Sequence, residues 1–262
     1  MIKIISGWSN PGGSTESFIK LCNLFNDNNL ECVYYGPHNY HLDKCKSDHL
    51  SNVTFKEDDK LIVHFLELRE RPNVSKCILS VHEQNVFELK EKNLESFDII
   101  QYVSKHQQDY HCVEKESVII PNVMDKLTYT NKTKSKVAGI IGSIDSNKQT
   151  HISLLKALRL GFKRIYIYGN ITDLFYYNTL VEPIIDKNRD KIVGPKFEND
   201  KQKMYDSISD LFFSSKMECL PYVIGESRMT NTKLHTLDGV NYLNGSYEFD
   251  DNKILEQWKN IL

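Results

Sequence analysis

The sequence predicts an α/β protein of two doubly wound domains, and three observations carry that reading. Short apolar runs alternate with helix-length segments along most of the chain, the pattern of βαβ units and hence of parallel sheets covered on both faces. The alternation is interrupted by a polar, lysine-rich stretch at 125–136, which reads as a linker or exposed crossover. The length of 262 residues exceeds one ordinary domain of roughly 100 to 200 residues. We therefore place the boundary at 130/131, giving an N-terminal domain 1–130 and a C-terminal domain 131–262.

The first series opens with the strand Ile2-Lys3-Ile4-Ile5, turns at Ser6-Gly7, and runs through Asn10-Pro11-Gly12-Gly13 into a helical pattern over 14–26. Glu31 to Tyr35 follows as a strand closed by Gly36-Pro37, then a polar stretch holding His38, His41 and His49. Strand signals recur at 61–66, 77–81, 98–103 and 117–120, with helical segments at 83–92 and 105–111. The second series starts with Val137 to Gly142, a polar turn through Lys148, and a helix from Thr150 whose Ile152, Leu155, Leu158 and Phe162 fall on one face. Strands follow at 164–169, 191–194 and 211–214, with a helix over 201–209 between the last two. Ligands of such sheets sit at the carboxyl ends of the strands, and a cleft between the halves is the expected site.

Composition narrows the function classes. With 33 basic and 35 acidic residues the net charge is −2, so no overall positive field draws the chain to a nucleic-acid backbone. No apolar run approaches the roughly 20 residues of a membrane span, and Met1 to Ser6 is too short for a signal-peptide core; a cytoplasmic location is expected. The six cysteines stand singly and read as reduced thiols rather than a zinc site. His38, His41 and His49 lack a matching carboxylate or cysteine pattern and read as ordinary loop residues. Phosphate-loop, dinucleotide and nucleophile-turn motifs are missing, which argues against kinase, dehydrogenase and hydrolase chemistry.

The most informative stretch is Ser214 to Glu226, in which Glu218 and Glu226 are separated by seven residues between a strand end and a helix start. Before it come Gly142 and, six residues later, Lys148, the strand ending at Gly169, and the short strand with Gly194. In this order the second half resembles the nucleotide-sugar-binding domain of GT-B glycosyltransferases, the large retaining family with the E-x7-E signature, over about 100 residues. The first half matches more loosely, at Pro11-Gly12-Gly13, His82-Glu83 and Ile120-Pro121-Asn122.

The resemblance implies two Rossmann-like domains, the first on the acceptor side and the second holding a nucleotide-diphosphate sugar. It implies transfer without an obligatory metal or other cofactor, to a carbohydrate or glycolipid hydroxyl, with retained anomeric configuration. Glu218 would contact the transferred sugar and His82 would orient or polarise near it. Glu226 would take the ribose hydroxyls, and Gly12, Gly13, Ser143, Lys148, Leu220 and Pro221 would line the donor. The chemistry suits those types: a departing diphosphate gathers negative charge that an ammonium and backbone N–H groups can hold, and a carboxylate offers two acceptors to neighbouring hydroxyls. Where relatives carry arginine after the glycine this chain has Ser143, and the usual glycines after the first glutamate are Cys219 and Leu220; Arg228 and Lys216 are the candidates to compensate. The chain is also short, so acceptor recognition is reduced or shared, with peripheral membrane or partner-protein association left open. Two rival readings stand beside the transferase: a non-catalytic nucleotide-sugar-binding subunit or scaffold, and an inverting transferase with His82 as base.

Overall fold

A computed structural model of the chain describes residues 1–83, 94–129 and 136–262; most of the helix expected over 83–92 and the lysine-rich run 131–135 lie outside the described residues. The fold is α/β, with two compact units and two parallel sheets. The first unit is residues 1–124 together with 244–262. Its strands are β1 (Ile2–Ser6), β2 (Cys32–Gly36), β3 (Ser47–His49), β4 (Lys60–His64), β5 (Lys76–Val81), β6 (Ile99–Tyr102) and β7 (Ser117–Ile119). They lie in the order β3-β2-β1-β4-β5-β6-β7, each neighbouring pair parallel. All five residues of β1 are buried, as expected of a central parallel strand covered on both faces.

One face is covered by the helix Gly13–Asp27, whose Phe18, Leu21, Cys22 and Phe25 join Ile4, Tyr34 and Ile62 in one core. The helix Asp251–Lys259 adds Ile254, Leu255 and Trp258 to the same core, Trp258 meeting Phe25 edge-on at 6.1 Å. This departs from the expected division at 130/131. The last nineteen residues belong to the first unit because that helix has an apolar face which finds its partner there, on Phe25.

The second unit, residues 125–243, has β8 (Val137–Ile141), β9 (Arg164–Tyr168), β10 (Ile192–Lys196), β11 (Asp210–Phe213) and β12 (Lys233–Thr236) in the order β10-β9-β8-β11-β12, again all parallel. The helix Thr150–Arg159 covers it on a different face from the one its apolar periodicity suggests. Ser153, Leu154 and Ala157 are buried, while Leu155 is half exposed. Ser153 can turn inward because its hydroxyl bonds Ser214 at 2.9 Å, and Ala157 allows close approach. The helix 174–187 was not legible in the sequence: a π-helical turn at Tyr177–Val181 breaks its 3.6-residue period.

In each sheet the first strand is the point of reversal. From β1 the chain steps out to β2 and β3, then returns to β4 on the other side; β8, β9, β10 and β11 repeat the move. A crevice at the carboxyl end of such a reversal is where open α/β sheets bind ligands.

Candidate functional site

In the second unit the reversal brings the loop after β8 against the loop after β11. Asp145 shapes the first of them: its carboxylate accepts the N–H groups of Asn147 at 3.0 Å and Lys148 at 2.8 Å, and the Ser143 hydroxyl at 2.6 Å. The turn is thereby fixed, and Ser143 is engaged by Asp145. Asn147 then laces the two loops together. Its carbonyl accepts the Lys216 N–H at 2.9 Å, and its side-chain amide donates to the Met217 carbonyl at 3.1 Å and the Ser215 hydroxyl at 3.3 Å. Held this way, the Lys148 ammonium forms an ion pair with Glu218, and both remain partly accessible, at 25% and 14%. The Phe213 ring lies 5.5 Å from the same ammonium. Tyr242 stacks edge-on against Phe213 and donates to the Ser215 carbonyl at 2.6 Å; burial, reinforced by the nearby Glu218 charge, raises its phenol above the ordinary range. The sequence analysis gives Lys148 to the donor and Glu218 to catalysis, and in the structure the two side chains form an ion pair.

Glu226 stands differently. It lies on the helix Tyr222–Met229, 2% exposed, with one oxygen accepting the Lys201 ammonium at 2.7 Å and the other the Tyr205 hydroxyl at 2.9 Å. Lys201 also reaches Asp125 at 2.5 Å. Burial works against the lysine's charge, but the two carboxylates hold its ammonium above the usual lysine range. Leu220 and Pro221, just before that helix, are buried. Sequence reasoning did not find Lys201 or Asn147, because nothing in their spacing marks them.

In the first unit Gly12 and Gly13 are exposed at the start of the helix Gly13–Asp27, and no side chain caps its first turn. Its free N–H groups form the kind of terminus that accepts an anion. His82 follows β5. Its Nε2 lies 3.2 Å from the Ser80 hydroxyl and its ring 4.5 Å from Phe18, and it lines a small cavity with Ser17, Gln101, Asn122 and Trp258. Burial first, then the His64 charge nearby, pushes the His82 pKa down to about 3, so the imidazole is neutral through the physiological range. Beside it His64, fully buried at the end of β4, bridges two groups: Nδ1 is 2.8 Å from Ser6 Oγ and Nε2 is 3.1 Å from Glu83. Burial opposes the Glu83 charge, yet His64 outweighs it and keeps the carboxyl below its usual range. His64 shares with His82 the signal of a strand-end histidine, which the sequence reading applied to only one of them.

The chain is similar in fold to solved structures of glycosyltransferases. The chain superposes on WaaG, a glycosyltransferase involved in lipopolysaccharide biosynthesis, with a TM-score of 0.65 and 10% identity, over 100% of this chain and 90% of that one. A glycosyltransferase from Rickettsia africae gives 0.67 and 11% over 99% and 87%. Alr3699/HepE from Anabaena, solved with UDP and glucose, gives 0.62 and 11% over 89% and 79%. The fold is GT-B. No family model matches the chain, and no curated protein matches it in sequence. At such low identity the GT-B likeness is one of fold, and the chemistry is argued from the residues. Among the described residues of this GT-B chain no helix is long and apolar enough to cross a membrane.

Proposed function

We propose that the protein is a metal-independent, retaining glycosyltransferase of the cytoplasm, moving a sugar from a nucleotide-diphosphate sugar to a hydroxyl of a glycan or lipid-linked glycan. The observation that carries this reading is the Lys148–Glu218 pair, held by Asp145 and Asn147 at the strand-order reversal of the second sheet. The E-x7-E resemblance and the GT-B fold support it.

In this reading Lys148 gives its ammonium to the diphosphate as the bond to the anomeric carbon breaks, and Glu218, released from the lysine, meets the sugar. Within the first unit, the uncapped N–H groups after Gly12 are suited by themselves to an anion such as a phosphate. Such pre-oriented donors favour the transition state because they need no reorganisation when charge appears. His82 in the first unit, held on Ser80 and made a weak base by its burial, is suited to orienting a hydroxyl rather than to removing a proton. The leaving phosphate takes the acceptor's proton, so no separate base is needed. For Glu226 to hold the ribose, its bonds to Lys201 and Tyr205 must give way.

That requirement bears on any nucleotide-sugar binder; what favours the second reading, a nucleotide-sugar-binding subunit without turnover, is Ser143, which stands where relatives carry arginine and whose hydroxyl is taken by Asp145. One experiment decides between them: incubation with a panel of nucleotide sugars, following melting temperature, donor hydrolysis and transfer, with anomeric configuration read by NMR. Stabilisation with turnover that Lys148→Ala abolishes supports the transferase. Stabilisation without turnover across a broad acceptor panel supports the subunit, and no response to any nucleotide sugar removes both.

A further inference from the structure

Two large aromatic side chains stand exposed where the first sheet reverses. Trp8 is 44% and Phe65 41% exposed; they follow β1 and β4, the strands that flank the reversal. Their rings lie 6.2 Å apart at 69°. His38, just beyond β2 and also exposed, sits edge-on to Trp8 at 6.5 Å.

This placement is enforced from beneath. Phe65 has a φ of 46°, a left-handed conformation that a bulky residue adopts at a cost of about 1–3 kcal/mol and that gathers at functional sites. The Gly7 N–H donates to the His64 carbonyl at 2.9 Å, and a Cβ at Gly7 would fall 2.0 Å from the Phe65 carbonyl oxygen. Only glycine lets the two loops touch in this way. The Ser6 hydroxyl donates to the Trp8 carbonyl at 2.5 Å, accepts the Trp8 N–H at 3.1 Å, and contacts His64, which leans on Glu83. A chain from Glu83 through His64 to Ser6 thus fixes the backbone under Trp8 and next to Phe65.

We propose that Trp8 and Phe65 form a platform for a pyranose ring of a carbohydrate acceptor, with Glu83 and His38 placed for its hydroxyls. A pyranose presents an apolar C–H face and a rim of hydroxyls. Aromatic rings cover the first, and a carboxylate and an imidazole bond the second. Glu83 retains 32% side-chain exposure for that role. An anionic membrane is the poorer occupant: the segment after Phe65 balances Glu67 and Glu70 with Arg69 and Arg71, whereas net basic clusters are what such surfaces attract.

The inference rests on the transferase reading for the word acceptor, so its test reads binding rather than transfer. Of the two tryptophans, Trp258 is 3% exposed, so iodide quenching of the emission reports Trp8. Methyl hexopyranosides and short oligosaccharides are titrated in; a saturating blue shift with protection from iodide is the expected result. Phe65→Asn, which tolerates the left-handed backbone, weakens that binding roughly two- to tenfold, and Phe65→Ala serves as a second variant, with melting curves to show that each folds. The platform is overturned if no glycoside alters emission or quenching, or if anionic lipid vesicles protect Trp8 and glycosides do not. Absent donor turnover would strike the transferase reading and leave the Trp8 titration standing; absent Trp8 titration beside intact turnover would strike the platform alone.

Discussion

At the residue scale the decisive group is Lys148. Its ion pair with Glu218 is partly solvated, so breaking it costs little stability, whereas loss of a pre-oriented cation from a phosphate-departure site costs far more in rate. Lys148→Ala is expected to lower kcat roughly 100- to 1,000-fold with the melting temperature almost unchanged, measured by transfer assay beside thermal denaturation. His82 gives a prediction of opposite character. In the folded chain it resists protonation down to about 3, against an ordinary 6.5; an unfolded chain therefore binds a proton that the folded one refuses. Stability falls as pH drops from about 6.5 towards 3, by at most about 1.4 kcal/mol per pH unit from this group. The depressed Glu83 carboxyl contributes stability above its ordinary 4.5, lost as pH falls through its lower folded value. Urea unfolding at pH 7 and pH 5 measures the slope, and His82→Asn should flatten it between those points.

At the scale of elements, the two loops at the second reversal act as one piece. Asn147→Ala removes two side-chain bonds between them without touching the pair that Lys148 makes. We expect kcat to fall about tenfold through misplacement of Lys148, with the donor KM moving less, in steady-state kinetics. Gly169, at the end of β9, has a φ of 154°, and a Cβ there would lie 1.8 Å from the Gly142 carbonyl oxygen. Gly169→Ala should destabilise by about 1–3 kcal/mol, read by denaturant unfolding.

The elements also show where the sequence is informative. The βαβ alternation marks strands such as β1, β4 and β9 within a residue or two, because a buried parallel strand is a short unbroken apolar run. β12 escapes this signal: Lys233-Leu234-His235-Thr236 is mostly polar, and His235 belongs in the sheet because it stacks on Phe212 at 4.3 Å and bonds Asp210 at 2.7 Å. Lys148 and Glu218 are singled out in the sequence by the resemblance, from the order of Gly142, Lys148 and the two glutamates, and not by spacing alone. The burial of Glu226 is not, since it depends on Lys201 and Tyr205, more than twenty residues away.

At the scale of the whole molecule, the chain leaves the first unit, builds the second, and comes back. The return is secured by Ile254, Leu255 and Trp258, each nearly or fully buried. Trp258→Ala should cost about 3–5 kcal/mol and lower melting of the first unit by roughly 10 °C, seen by calorimetry. This connectivity has a consequence for synthesis. As the chain emerges from a ribosome, the first sheet is exported early yet lacks part of the cover of one face until the helix Asp251–Lys259 follows, while residues 125–243 form an unbroken stretch that can mature in the interval. The unit begun first is thus the one finished last, and a prematurely released product leaves Phe25 without its Trp258 neighbour, a patch for chaperones and proteases to find.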